Sequence, residues 1–474
     1  MLALVVLAAR LATAQPYLVK DVNSRILGTD SSPDPYASIG NVTLFAASSP
    51  AQGRELWRTD GTPAGTYLVR DLSEGPKSGL PVSSSYRDAI EGRVYFLGIT
   101  AEHGRELWVT DGTTAGTKMV ADIWPGPAGS FPTAPIATAS GNYFVASGET
   151  TGFELWKTDG TAAGTKLVVD LNPGITSPSP HILGAVGSRI VFHANDGTRT
   201  GLFISDGTAQ GTQFIATSAE VLLNTSLNDA IVYTVIAGAT RTLMRTDGTA
   251  AGTIVLREGF TRIGQSGFTV AGAHAYFFTN HDGAPSEIWR TDGTAAGTQL
   301  VTTIAQRASD MEIVAMARLG DRILFSTSGT LGQYWVTDGT AAGTSVIKDA
   351  PHNNGEIAVT GAKAYFTASD AAHGSEPWIT DGTIEGTRLF ADVVVGSAGS
   401  DASEFASVGG GVMFAAKSGT TGREPWFADG TEAGTRMLKN VAADHISDSN
   451  PREMHNVNGT LFFIADDGFG DTVW

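Results

Sequence analysis

The stretch 154–165 reads ELWKTDGTAAGT, and close copies of it recur along the chain, such as ELWVTDGTTAGT at 106–117 and EPWITDGTIEGT at 376–387. The aspartates of the nine copies lie on average 46 residues apart, which is within the span of about 40 to 50 residues that one propeller blade takes. These aspartates are Asp60, Asp111, Asp159, Asp206, Asp247, Asp292, Asp338, Asp381 and Asp429.

Four short strands fit between successive motifs. An alternating strand A follows each motif, strands B and C flank a tight turn with glycine or asparagine, and strand D carries the motif tryptophan. The chain begins with a strand A at 17–22 and ends with a strand D at 471–474. We therefore predict an all-β fold, a β-propeller of about ten four-stranded antiparallel blades, closed by pairing of the N- and C-terminal strands. Two five-bladed rings are the alternative.

The composition limits the cellular locations and the classes of partner that we expect for this protein. The net charge of the 474 residues is −17, which disfavours nucleic acid as a partner, and the absence of cysteine excludes disulfides and thiolate metal sites. Residues 1–14 are predicted to be a signal peptide ending in Ala12-Thr13-Ala14, and residues 17–474 a single propeller. A buried first strand is the alternative for 1–14. Because export without cysteine is typical of bacteria, we expect a protein that is secreted, periplasmic or on the bacterial cell surface, without a transmembrane segment.

The repeated motif resembles that of the bacterial ELWxxDGT-repeat proteins, over residues 17–474. The resemblance implies a secreted or surface propeller of undefined function, and it brings no catalytic residues with it. Two copies depart from the motif, because Phe203 and Met244 replace the tryptophan. We expect these two blades to pack less well or to meet a different partner.

The motif residues are expected to be structural. A single aspartate followed by Gly-Thr lacks the alternating oxygen ligands of a calcium loop, so we assign it to an Asx turn with the glycines at positive φ. The tryptophans are assigned to packing between blades, with sugar stacking as the alternative. They are Trp57, Trp108, Trp156, Trp289, Trp335, Trp378, Trp426 and Trp474. The glutamate two residues before most of them is expected to make a structural hydrogen bond.

The meander places the long, variable A–B and C–D loops at one end of the ring, and the uniform B–C and D–A turns at the other. Binding residues concentrate in variable loops on rigid scaffolds. The candidate ligand-binding residues at the loop end are Trp124, Phe131, His103, His281, Asp282 and His373. A role in turns is the alternative for His103 and His373, because each precedes a glycine at the same place in its repeat.

The sequence contains no recognisable catalytic motif, so no catalytic residue, metal site or cofactor is predicted, and a protein that is not an enzyme is favoured. The function expected is a secreted or cell-surface scaffold that recognises a glycan, surface polymer or protein through its loop end. The alternatives are a polysaccharide hydrolase or lyase with acidic residues at the loop end, and a structural envelope component. The oligomeric state is left open.

Overall fold

The computed structural model describes residues 18–19, 34–60, 62, 64–81, 89–174, 180–264, 267–281, 284–304, 312–351, 355–408, 410–418, 422–440, 448–457, 460–466 and 471–474. These residues form 39 β-strands and no helix. The predicted signal peptide at 1–14 lies outside them, as does most of the predicted strand 17–22.

The strands form ten antiparallel sheets in chain order, which confirms the predicted propeller. Blades one to three are β1 Asp34–Ile39, β2 Val42–Ser49, β3 Gly53–Thr59, β4 Tyr67–Arg70; β5 Ala89–Ile90, β6 Arg93–Thr100, β7 Gly104–Thr110, β8 Lys118–Met119; and β9 Ile136–Thr138, β10 Gly141–Gly148, β11 Gly152–Thr158, β12 Lys166–Val169. Blades four to six are β13 His181–Val186, β14 Arg189–Asn195, β15 Thr200–Ser205, β16 Gln213–Thr217; β17 Val221–Leu227, β18 Ala230–Ala237, β19 Thr240–Thr246, β20 Ile254–Phe260; and β21 Thr269–Ala271, β22 His274–His281, β23 Ala284–Thr291, β24 Gln299–Ile304. Blades seven to nine are β25 Ile313–Leu319, β26 Arg322–Thr327, β27 Gln333–Thr337, β28 Ser345–Asp349; β29 Ala358–Thr360, β30 Lys363–Asp370, β31 Gly374–Thr380, β32 Arg388–Leu389; and β33 Ser403–Val408, β34 Gly411–Ser418, β35 Gly422–Ala428, β36 Arg436–Met437. The tenth blade has β37 Arg452–Val457, β38 Thr460–Asp466 and β39 Asp471–Val473.

The first strand of each sheet, the predicted strand B, lies nearest the ring axis. At most junctions these strands contact the first strand of the neighbouring blade, and β1 contacts β37 of the tenth blade. The predicted strand A is therefore the outermost strand. Since the inner strands meet around the ring, including the first against the tenth, the ten blades close into one ring.

The core is divided among the junctions between blades. Ten clusters of buried hydrophobic residues each combine side chains of two neighbouring blades. Phe260 of the fifth blade and Phe277 of the sixth share one of them, with ring centroids 5.5 Å apart. This continuous core between blades five and six argues against two separate five-bladed rings.

The seam between the two ends of the chain is built in the same way. Val19 packs with Phe45, Phe462 and Val473 in one cluster, and its backbone N donates to the carbonyl of Val473 at 3.1 Å. An N-terminal segment therefore pairs with the last strand of the tenth blade, as the fold prediction required.

An aromatic layer runs through the blades. The motif tryptophan stands opposite a phenylalanine of the preceding strand, for example Phe96 opposite Trp108 and Phe325 opposite Trp335. In the fourth blade, Phe203 is buried, stacks on Phe192 at 5.6 Å and meets the edge of Phe214 at 5.2 Å. This blade therefore keeps its aromatic packing without the tryptophan, because Phe214 of the outer strand β16 packs against Phe203.

Candidate functional site

The turn end of the ring is formed by DGTxxGT turns whose polar groups bond to one another. In the third blade, Asp159 Oδ1 accepts the backbone N–H and the hydroxyl of Thr161 at 2.9 and 2.6 Å. Thr161 Oγ1 in turn accepts the N–H of Gly164 at 3.1 Å, and the hydroxyl of Thr165 donates to the Thr161 carbonyl at 2.7 Å. The Thr161 hydrogen bonds hold the pKa of Asp159 below its usual range. The carboxylate thus stabilises its own turn.

The two glycines of the motif have different roles. Gly160 takes the left-handed conformation, with φ of +85°. Gly164 does not, but a Cβ at that position would overlap the carboxylate of Asp159. The second glycine is therefore required by close approach, not by the positive φ that we expected for both.

At the loop end of the ring, buried glutamates of strand D accept hydrogen bonds from the A–B loops. Glu106 accepts the backbone N–H groups of Trp124 and Ser130 at 3.2 and 3.0 Å, and the Ser130 hydroxyl also donates to it at 2.5 Å. Glu106 is fully buried, and this burial raises its pKa. Burial likewise raises the pKa of Glu55 to about 7 and that of Glu154 to about 8. Each of these glutamates holds the A–B loop of its own blade on strand D.

The motif tryptophans are covered by the preceding blade. Trp108 is 6% exposed, and the Arg70 guanidinium lies 5.4 Å from its ring centroid. The same position of strand A supplies a cation over the next tryptophan at three other junctions: Arg257 over Trp289, Lys348 over Trp378 and Lys439 over Trp474. These contacts join the outer strand of one blade to strand D of the next.

Three of the expected ligand-binding residues lie in the second blade. His103 Nδ1 is 2.9 Å from Asp122 Oδ2, which ties the C–D turn to the A–B loop. Trp124 is half-buried. Phe131 is 43% exposed with φ of +50°, and the Arg105 guanidinium lies 5.1 Å from its ring centroid.

The other three do not join them. His373 is in the eighth blade, where its Nδ1 lies 2.9 Å from Asp370 Oδ1 in its own turn. His281 ends β22 of the sixth blade, and Asp282 lies outside the described residues. The backbone N of His103 donates to the Thr100 hydroxyl and that of His373 to Asp370, so both histidines do serve in turns.

A groove of about 650 Å³ lies between the first and second blades. Its walls are the end of β4 with the loop after it (70–77) and the C–D turn 100–103, and its floor includes Trp108 and Met119. Of the expected ligand-binding residues, His103 is the one that lines it. Sequence reasoning missed the remaining residues that line the groove, because the groove joins two blades and strand A was assigned to the scaffold. The signal was a basic residue at this position of strand A, where Arg70, Arg257, Lys348 and Lys439 stand and several other repeats have alanine, valine or threonine.

Neither a metal site nor a membrane span stands out in the described part of the chain. No group of three or more histidine, aspartate or glutamate side chains there could hold a metal ion. No helix in the same residues is long and apolar enough to cross a membrane.

Known proteins with some likeness to this chain are found among solved structures. No protein-family model matches the chain, and no curated protein matches it. Among solved structures, a Mycobacterium tuberculosis puromycin-hydrolysing peptidase is 11% identical with a TM-score of 0.34, over 70% of this chain and 58% of its own. One of two prolyl endopeptidases analysed together is 11% identical with a TM-score of 0.39, over 74% of this chain and 54% of its own. The propeller domain of the Trilobed protease from Pyrococcus furiosus is 13% identical with a TM-score of 0.30, over 65% and 98%.

These neighbours correct the expected function. The expectation of a scaffold that recognises a glycan, surface polymer or protein is corrected, because the solved structures that this chain resembles are peptidases. This chain spans little more than half of the first two neighbours, and likeness at this identity concerns the fold alone, so it transfers no catalytic residue. The structure adds a physical reason against sugar stacking: Trp108 and Trp289 are buried beneath arginines of the preceding blade.

Proposed function

We propose that the groove between the first two blades binds short peptides. The observation that carries this proposal is the pairing of an apolar floor with charged walls of both signs. Met119 and Leu72 contribute apolar lining, the mostly buried Trp108 lies beneath Arg70, and the charged lining includes Arg70, Glu74 and Glu102. Peptides combine apolar side chains with charges of both signs, so such a groove complements them.

The groove is of a suitable size for a small ligand. Its volume of about 650 Å³ falls within the range of about 300 to 1,000 Å³ that is usual for ligand sites. Neutral oligosaccharides present hydroxyl groups and no charge, so they would leave the charged walls without partners.

Native mass spectrometry of the full chain with a library of tetrapeptides that have free termini tests the proposal, with maltotetraose and chitotetraose as comparison ligands. We expect peptide adducts and no oligosaccharide adducts. Ala101 is exposed and lines the groove, so Ala101→Trp should fill it and abolish the adducts without disturbing the core. Ala163→Trp, at an exposed position of a turn in the third blade, is the matched control. Absence of peptide adducts, or adducts that survive Ala101→Trp, would refute the proposal.

A further inference from the structure

The charges of the groove are separated along its length. At the turn end, Arg70 Nη1 donates to the carbonyl of Thr117 at 2.7 Å, and Lys118 follows directly as the first residue of β8. Both cations line the groove, and both are exposed. Among the described residues, Arg70 makes no further hydrogen bond, so its remaining N–H donors can meet a carboxylate.

The loop end of the groove has the opposite sign. Glu74 belongs to the A–B loop of the first blade and Glu102 to the C–D turn of the second, and both are exposed. Asp71, which accepts the N–H of Gly75 at 3.4 Å, is a third acid there. Lys77 also lines this end, and His103 lies between two acids, with Nδ1 2.9 Å from Asp122 and Nε2 3.8 Å from Glu102. Acids therefore outnumber cations at the loop end, whereas the turn end carries cations.

We infer that the groove binds its peptide in one direction, with the terminal carboxylate at Arg70 and Lys118 and the terminal ammonium at Glu74 and Glu102. This inference rests on the proposed function, because it assigns the ends of the peptide in the same groove. A free peptide carries one charge of each sign at its two ends, which matches the separation of charge in the groove. The ligand class is thus a short peptide with both termini free.

The experiment uses the tetrapeptide from the library that binds best, resynthesised with an amidated C-terminus and separately with an acetylated N-terminus. Isothermal titration calorimetry with the full chain should show about tenfold weaker binding for each blocked form, because each loses one charge-assisted interaction. Equal affinity of the free and blocked forms would overturn the inference while leaving the proposed function intact. Failure of every tetrapeptide to bind would overturn both.

Two variants assign the ends separately. Lys118→Gln should weaken binding of the free peptide and leave binding of the amide unchanged, whereas Glu102→Gln should weaken binding of the free peptide and leave binding of the acetylated form unchanged. Lys166→Gln is the matched control for the lysine, since Lys166 begins strand β12 of the third blade as Lys118 begins β8. Glu149→Gln in the C–D turn of the third blade is the control for the acid. If Lys118→Gln weakened binding of the amide as much as that of the free peptide, or Glu102→Gln weakened binding of the acetylated form as much as that of the free peptide, the assigned direction would be overturned.

Discussion

The hydrogen bonds of Asp159 explain why the motif aspartate stabilises a turn and does not form part of a cation site. Its Oδ1 already accepts two hydrogen bonds from Thr161, and the carboxylate occupies the space that a side chain at position 164 would need. The same arrangement recurs with Asp60, Asp111 and the other motif aspartates. The motif is therefore explained by the hydrogen bonds and close contacts of the turn.

The first prediction concerns this contact. Gly164→Ala should lower the free energy of unfolding by about 1–3 kcal/mol, because the new methyl group forces the Asp159 carboxylate out of place. Urea denaturation measures the change, and Ala163→Ser at the exposed neighbouring position should change stability by less than about 0.5 kcal/mol. In the Asp159→Ala background, Gly164→Ala should cost less. Additive costs in the double variant would contradict the explanation.

At the scale of the element, the buried glutamates decide where the outer strands end. The strand A expected after the second motif would cover the alternating segment KMVADI at 118–123, but β8 covers Lys118–Met119. The N–H groups of Trp124 and Ser130 bond to Glu106, so the chain leaves the sheet and turns over strand D. The alternation of apolar residues predicted the existence of the strand, but its end depends on a glutamate in another strand.

The second prediction is a pH dependence caused by Glu154. Burial raises its pKa from 4.5 to about 8, so the folded chain binds a proton more tightly than the unfolded chain does. The free energy of unfolding should therefore fall as the pH rises from about 4.5 to about 8, and this contribution should be constant above that range. Glu154→Gln should make the dependence between pH 5 and 8 less steep in urea titrations, with Glu55 still contributing up to about pH 7.

Glu149→Gln, at an exposed position of the C–D turn before β11, is the control variant, and its stability curve should keep the slope of the parent chain. A Glu154→Gln curve parallel to that of the parent chain would show that Glu154 does not bind this proton. The amide suits the comparison because its carbonyl can still accept the N–H of Leu171, which bonds to Glu154 at 3.2 Å.

The third prediction concerns the cations between blades. Lys348 Nζ lies 3.9 Å from the ring centroid of Trp378, so Lys348→Met should keep the length of the side chain and lose the attraction to the ring, at a cost of about 0.5–1 kcal/mol. Lys166→Met, at an exposed position of another outer strand, should cost less. Equal costs in thermal denaturation would show that the contact with Trp378 does not stabilise the junction.

At the scale of the whole molecule, the sequence predicted the number of blades and the order of their strands, because both follow from the repeat period. It also predicted the pairing of the chain ends, because the last strand D has no strand A after it. The groove could not be predicted in this way. Arg70 and Trp108 are 38 positions apart in different repeats, and they meet because strand A of one blade packs on strand D of the next. A repeat pattern describes each blade alone, whereas a site between two blades depends on how they pack.

The fourth prediction tests the closure of the ring at Val19, whose N–H bonds to the carbonyl of Val473. Val19→Pro removes this donor, which is worth about 1 kcal/mol, and should speed amide hydrogen exchange in β38 and β39 about fivefold. Val19→Ala keeps the donor and loses part of a side chain that is 3% exposed, so it separates the packing in the seam from the hydrogen bond. Exchange in β18 of the fifth blade should not change in either variant, because each junction between blades has its own hydrophobic cluster. Unchanged exchange in β38 and β39 of Val19→Pro would mean that the hydrogen bond of the N-terminal segment is not needed, and that contacts with the first and ninth blades hold the tenth blade.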